Sequence, residues 1–399
     1  MSNGAPTRPA ESFVYDPFAS VTDDDPAELW RRMRDEAPLY RNDFRDFWAL
    51  SRYDDIKQVI QDHGAYSSAR GNILEVMDLP DGQRPRFLSF IDEPEHRSMR
   101  ALVANGFGAR SIRELEPDVR RLTAELLDPL VERDEFDYIG EFGGRLTIRV
   151  VGDLLGVPEA DRDLLIRWTH EHTRRRQNGP AYRPVTEMRD YFAALGDERR
   201  RRPRNDFVTA LTQAEVRPAE LADFVTQLAM AGETTVALFA SIARGLAAHP
   251  SERQRVVENP SLIPSAIEEL LRFDPPLIRQ ARSVTRAVEW YGQQLIPGAR
   301  LLLVHGAANR DERVFPDPDR FDVGRSPNPH LSFSGGIHRC LGAPLARLEG
   351  RIALEETLRR FPAWDVDPAR TVSTNSAIGR SFSSVMMVPH RRSRHATSG

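Results

Sequence analysis

Residues Phe333–Gly342 read FSGGIHRCLG and hold Cys340, the only cysteine among 399 residues. A single thiol cannot form an internal disulfide or a multi-cysteine zinc site, which leaves an inert buried cysteine, a nucleophile or a single metal ligand. The surroundings suit a ligand. Gly335, Gly336 and Gly342 allow the backbone to approach a flat cofactor, and the amphipathic run Ala343–Phe361 starts a helix whose N-terminus favours negative charge on sulfur. Without companions, the ordinary reading of a lone thiol in a glycine-rich turn is a packed and unreactive one.

Companions lie upstream. Pro218, suited to a first helical turn, opens an apolar series through Leu221, Phe224, Val225, Leu228, Leu238, Phe239, Ile242 and Leu246 that ends near His249-Pro250. Such a helix, about 45 Å long, has to run through the middle of the protein. Its polar interruption, Gly232-Glu233-Thr234-Thr235, is expected deep inside, where polar groups need partners or a purpose. A threonine there can also bond back to the preceding turn and bend the helix. On a second predicted helix, Pro264–Phe273, Glu269 and Arg272 share a face. The stretch Asp92–Arg100, DEPEHRSMR, sets His96 and Arg100 four residues apart on one face of a third, a pattern that alone reads as a solvated face.

With these companions, the chain resembles the cytochrome P-450 family. Phe333, Gly336, His338, Cys340 and Gly342 stand in the places of its cysteine-ligand signature, with Ser334 where glycine is usual. Segments similar to the family run from about Ala27 to Val388. The resemblance implies a mainly α fold with a large helical part, a long central helix and a small β-rich part. It implies haem b with Cys340 as the iron ligand, contacts from Ala231, Phe333, Gly335 and Gly342, and propionates bound by His96, Arg100, Arg282 and His338. Glu269 and Arg272 resemble the Glu-x-x-Arg motif, with Arg320 as third member of a buried structural network. Ala231–Thr235 resembles the oxygen-binding motif. Counting back from His249-Pro250 makes Glu233 the acid and Thr234 the alcohol, while a shift of one position nominates Thr235.

The implied activity is insertion of one atom of O2, the co-substrate, into a C–H bond by hydroxylation, or epoxidation, with thiolate donation favouring O–O cleavage. No Gly-x-Gly-x-x-Gly strand–helix signature is present, so electrons from NAD(P)H have to arrive indirectly, through a separate ferredoxin or flavodoxin with its reductase. Arg110, Arg113, Arg339 and Arg347 are equally readable as a basic docking face for that donor or as ordinary solvated arginines. By family position the substrate pocket draws on Asn72–Phe90, including Leu88, and on Met230, Leu277, Ile278, Phe382 and Ser383. That apolar lining suits a hydrophobic small molecule, such as a polyketide or terpenoid natural-product intermediate. Rival readings are a peroxide-driven peroxygenase, against which the Glu233-Thr234 pair argues, and a non-enzymatic haem sensor, which requires no acid–alcohol pair and should bind ligands without coupled oxygen use.

The remaining features set bounds. No linker, repeat or shift in composition divides the chain, so a single domain over residues 1–399 is expected, with loose tails at about 1–10 and 391–399. A net charge of −4 argues against nucleic acid as a partner. The polar start carries no signal-peptide pattern, which reads as cytoplasmic, and the protein is expected to be a monomer. Leu228–Ala247 is the nearest thing to a membrane span, but Glu233 and Arg244 interrupt it, and a buried core helix is the better reading. The basic clusters Arg174–Arg176 and Arg199–Arg202 read as solvated helix ends. Ile112–Arg133 carries helical periodicity, and strand signals sit at Phe47–Ser51, Val288–Leu295, Arg300–Val304 and Ser384–Val388.

Overall fold

The computed structural model describes residues 13–18, 26–104, 107–177, 186–214, 216–375 and 378–390. The two expected tails lie outside them. A single helix, Pro218–Ala248, forms the axis of the helical part, with Pro218 in its first turn and His249 closing it ahead of Pro250. At 31 residues it spans about 46 Å. It stays α-helical through Ala231–Thr235, so the expected polar interruption changes its chemistry without breaking its hydrogen-bond ladder. Among the described residues it alone is long and apolar enough to cross a membrane; 61% of its most apolar window is buried inside the protein, as a core helix requires.

Helices pack around this axis through one large apolar cluster. It includes Phe142 and Phe239, whose rings lie 5.8 Å apart, and Ile267, Leu270 and Ile352 from the helices Ile263–Phe273 and Ala343–Arg360. Small residues let these elements close on one another: a Cβ on Gly350 would meet Leu238 at 3.0 Å, and one on Gly232 would meet Thr147 at 2.8 Å. The helix expected over 112–133 runs Ala109–Leu127 and hands over to a 3-10 turn at Asp128-Pro129.

The β-rich part is small. One sheet orders Leu39–Asn42 (β1), Phe47–Leu50 (β2), Tyr66–Ser67 (β3), Gln280–Val284 (β5) and Arg300–Leu303 (β8) as β1-β2-β8-β5-β3, with β2 and β8 parallel. Phe136–Asp137 (β4) joins the hairpin of Trp364–Asn375 (β9) and Arg380–Pro389 (β10). The run expected as one strand over 288–295 is instead a hairpin, Val288–Trp290 (β6) and Gln293–Leu295 (β7). Tyr291 and Gly292 between them hold φ of 51° and 73°, as a tight hairpin turn demands.

Candidate active site

The cysteine loop is held from both sides. The Cys340 N–H donates to the Phe333 carbonyl at 2.9 Å, and Gly342 caps the helix Ala343–Arg360 that carries the loop's far end. Gly336 has φ +58°, and a Cβ there would stand 2.1 Å from the Ile60 carbonyl; one on Gly335 would meet the Ile60 side chain at 2.8 Å. These two glycines therefore let the loop pack against the helix Tyr53–Gln61, and neither lines the adjoining cavity. Gly342 has nothing within 4 Å of such a Cβ and does line that cavity, so it leaves room there. Ser334 adopts φ +53°, a conformation that explains why glycine is usual there.

The Cys340 side chain is exposed, but into a cavity rather than to bulk water. Burial pushes its thiol above the ordinary value, while N–H groups of Gly342 and Ala343 and the Arg100 guanidinium pull it back toward thiolate. These are the donors that a negatively charged sulfur ligand needs.

The central helix lines the same cavity, contributing Gln227, Leu228, Met230, Ala231, Glu233, Thr234 and Leu238. The Thr234 hydroxyl donates to the Ala231 carbonyl at 2.8 Å, so the back-bond and the cavity position belong to the same residue. Thr235 is buried and does not line the cavity, so of the two threonines Thr234 is the one that shares a cavity with Cys340. A larger cavity, 910 Å³, lies along the other face of the helix beside Ala229, Gly232 and Val236. It holds no cysteine, and the ligand chemistry selects the smaller one. Glu233 reaches both.

Around Cys340, polar groups await partners. His96 and His338 meet edge to face at 4.6 Å, and His96 Nε2 and both ring nitrogens of His338 are buried without a hydrogen bond. Burial, followed by the charge of Arg282, pushes His338 down to about 3 and so keeps that ring neutral, and burial also lowers His96. Arg282 is 3% exposed, donates only to the Ala281 carbonyl, and is held down to about 10 by burial. Arg100 donates to the Arg339 carbonyl at 2.7 Å. A buried arginine that forms no ion pair within 4 Å among the described residues and feels only the more distant charge of Asp92, beside orphaned imidazole nitrogens, is costly unless a ligand supplies acceptors. Carboxylates on a cofactor ligated by Cys340 would supply them, so these residues fit haem.

Glu269 and Arg272 are fully buried and joined by two bonds of 2.8 Å. The expected third member is corrected. The Arg320 side chain is 64% exposed and comes no closer than 4.0 Å to Asp322; only its carbonyl joins, accepting from Arg272 and Arg325. Arg325 is the arginine that reaches Glu269, at 3.2 Å, and Asn328 and the Asp322 N–H add further bonds. The network grips residues 309–328, the segment leading to the cysteine loop.

Of the expected substrate residues, Leu88, Met230 and Leu277 line the Cys340 cavity. Ile278 does not; its side chain packs beneath the sheet with Tyr15 and Trp30. Phe382 and Ser383 face the larger cavity instead, whereas Ile378 lines the Cys340 cavity, and its carbonyl accepts from the N–H groups of Ile278 and Arg279 at 2.8 and 2.9 Å. On the basic face, Arg347 is committed to Glu268 at 2.7 and 2.8 Å and Arg110 to Glu114 at 2.9 Å, while Arg113 and Arg339 are exposed. Arg199 is another correction. It is fully buried, donates to the Gly156 carbonyl at 2.6 Å and pairs with Asp206, so only Arg200, Arg201 and Arg202 of that cluster sit at the surface or near it. The side chains of Arg174–Arg176 lie outside the described residues.

Comparison with known proteins places these features in a family. The cytochrome P450 sequence profile matches residues 187–381. Cytochrome P450 123 of Mycobacterium tuberculosis is 40% identical over 383 residues, 92% of this chain and 95% of that protein. Cyclomarin C epoxidase CymV of Salinispora arenicola is 36% identical, covering 84% and 89%. Among solved structures, the himastatin hydroxylase HmtN superposes with a TM-score of 0.85 at 34% identity over 94% of this chain and 99% of that one. The Bacillus subtilis bacillaene cytochrome P450 PksS gives 0.85 at 29% identity over 95% and 100%.

Proposed function

Since the chain belongs to the cytochrome P450 family and is a monooxygenase of it, we propose that it oxygenates a hydrophobic natural-product intermediate at a C–H or C=C bond, with electrons from a separate ferredoxin or flavodoxin system. The observation that carries this reading is that Cys340 and Thr234 face one cavity whose rim holds orphaned donors. Haem, when bound, supplies the iron at which dioxygen is activated. Cys340 holds that iron, with the Gly342 and Ala343 N–H groups tempering the charge on sulfur. Arg100, Arg282, His96 and His338 bind the cofactor's carboxylates.

The Thr234 hydrogen is committed to the Ala231 carbonyl, so its oxygen presents lone pairs to the cavity and accepts. Glu233, which lines both the larger cavity and this one, is the acid placed to relay protons into the site, a positioned acid–base task. Phe87, Leu88, Phe90, Phe224, Leu277 and Ile378 exclude water and favour an apolar substrate. Relatives named for cyclomarin C epoxidation and polyketide biosynthesis support the choice of a natural product. Arg113 and Arg339, exposed beside the cysteine loop and the helix Ala109–Leu127, are the residues we assign to attraction of an acidic electron donor.

The test is the carbon-monoxide difference spectrum of the reduced protein. The wild type is expected to give the red-shifted band of a thiolate ligand, and Cys340→Ser to lose it. A band retained in the variant, or a nitrogen-ligated spectrum in the wild type, overturns the assignment. Turnover with peroxide but not with a ferredoxin system and O2 would make the protein a peroxygenase.

A further inference from the structure

The roof of the Cys340 cavity is residues 87–90, whose apolar side chains Phe87, Leu88 and Phe90 line it. Only Leu88–Phe90 is regular, a single 3-10 turn, and no strand pairs with this segment. It is fastened instead by polar side chains from the first half of the central helix. The Leu88 N–H donates to Gln227 Oε1 at 2.8 Å, and Gln227 Nε2 donates to Ser89 Oγ at 2.7 Å. One turn earlier, Asp223 accepts from the Arg86 N–H at 3.2 Å and from Arg189 of the helix Thr186–Arg201. A further turn back, Glu220 lies 3.5 Å from Arg86 Nε. Residues 220, 223 and 227 recur at steps of three and four, so they form one stripe on the helix.

Gln227 stands apart in this stripe. It lines the cavity itself, and it spends both ends of its amide on the roof, the carbonyl on one residue and the amino group on the next. We propose that Gln227 is a positioning residue that clamps residues 87–89 over the oxygen site and thereby sets how bulky a ligand the site holds. The proposal rests on the reading of this cavity as the reaction chamber. Asp223 and Glu220 hold Arg86 independently, so loss of the amide frees the roof while its upstream end stays tethered. A leucine of similar size makes neither bond. A glutamate still accepts from the Leu88 N–H, and the Ser89 hydroxyl turns to donate to it.

Gln227→Leu and Gln227→Glu in the haem-loaded protein test this. Amide hydrogen exchange at Leu88 is expected to rise about tenfold or more in Gln227→Leu, the effect of two ordinary hydrogen bonds. The Arg86 amide, held by Asp223, should move much less, and Gln227→Glu should stay close to the wild type. Imidazole and 4-phenylimidazole, titrated optically onto the iron, report the roof's consequence. The small azole should bind all three proteins alike, while the bulky one should dissociate about ten times faster from Gln227→Leu. Unchanged Leu88 exchange in Gln227→Leu, no rescue by Gln227→Glu, or equal effects on the two azoles would overturn the proposal. If the cofactor reading were wrong, neither azole would shift the spectrum of any variant, whereas the exchange experiment would still decide the clamp.

Discussion

Replacing Arg325 by alanine should destabilise the protein far more than the same change at Arg320. Arg325 is 11% exposed and donates to Glu269 at 3.2 Å and to the carbonyls of Pro316, Asp317 and Arg320 at 2.8, 3.1 and 3.0 Å. Removing one partner of a buried ion pair costs about 3–5 kcal/mol when the remaining charge is abandoned. Glu269 is not abandoned, because Arg272, Asn328 and the Asp322 N–H stay in place. The expected loss for Arg325→Ala is therefore about 1–3 kcal/mol, most of it from the part-buried charge-assisted bond to Glu269, since water can reach the exposed loop carbonyls that lose their donor. Arg320 is exposed and 4.0 Å from its only acid, a contact worth about 0.5 kcal/mol or less. Urea unfolding followed by loss of haem absorbance, with all variants under identical conditions, reads the difference as a shift in midpoint. A shift for Arg320→Ala equal to or greater than that for Arg325→Ala would refute the network described above.

Three further outcomes are expected. Thr234→Ala should retain haem but divert electrons from product to peroxide, while Thr235→Ala leaves coupling near wild type; peroxide formed per NAD(P)H measures this, and the reverse pattern would shift the helix register by one. Ser334→Gly should stabilise the protein by about 0.5–1 kcal/mol, since Ser334 sits at φ +53° and glycine bears that conformation freely; an unchanged or lower melting temperature counts against it. Burial pushes the Glu349 carboxyl from its ordinary 4.5 up to about 8, and its Oε2 has no hydrogen-bond partner. The folded state thus keeps a proton that the unfolded chain releases, so this group's contribution is full below 4.5 and is lost as pH rises toward about 8. Glu349→Gln should flatten that decline in thermal melts across the same range, and an unaltered slope would reject the cause.

The chemistry was more legible in the sequence than its supports. Cys340, His96, Arg100 and the Glu269–Arg272 pair were readable because each sits at a spacing that a helix or a glycine turn converts directly into geometry. Arg320 misled because a buried network recruits carbonyls as readily as side chains, and a sequence displays only the latter; the useful signal was Arg325-Ser-Pro-Asn328, which supplies two donors within four residues. Phe382 and Ser383 missed the pocket because the tip of a long hairpin has no fixed register until its bulges between 382 and 386 are placed. The strand Trp364–Asn375 escaped notice because WDVDPARTVSTN alternates poorly, its partners lying on β10 rather than in its own pattern. Gln227 carries no motif or spacing of its own and acquires meaning only from the turn laid across it.

The close approach of Gly336 to the Ile60 carbonyl ties the cysteine loop to an element with no chemistry of its own. The helix Tyr53–Gln61 acts as an anvil for the sulfur: Tyr53 is bound through its N–H to Asp311 and through its hydroxyl to the Pro329 carbonyl, so its position is dictated by the same connecting segment that Glu269 grips. Displacing this surface helix by even a fraction of an ångström would press directly on the backbone four residues before Cys340. Under the role proposed for Cys340, side chains remote from the site, such as Lys57 and Gln58 on this helix, become handles on the sulfur through the loop that carries it.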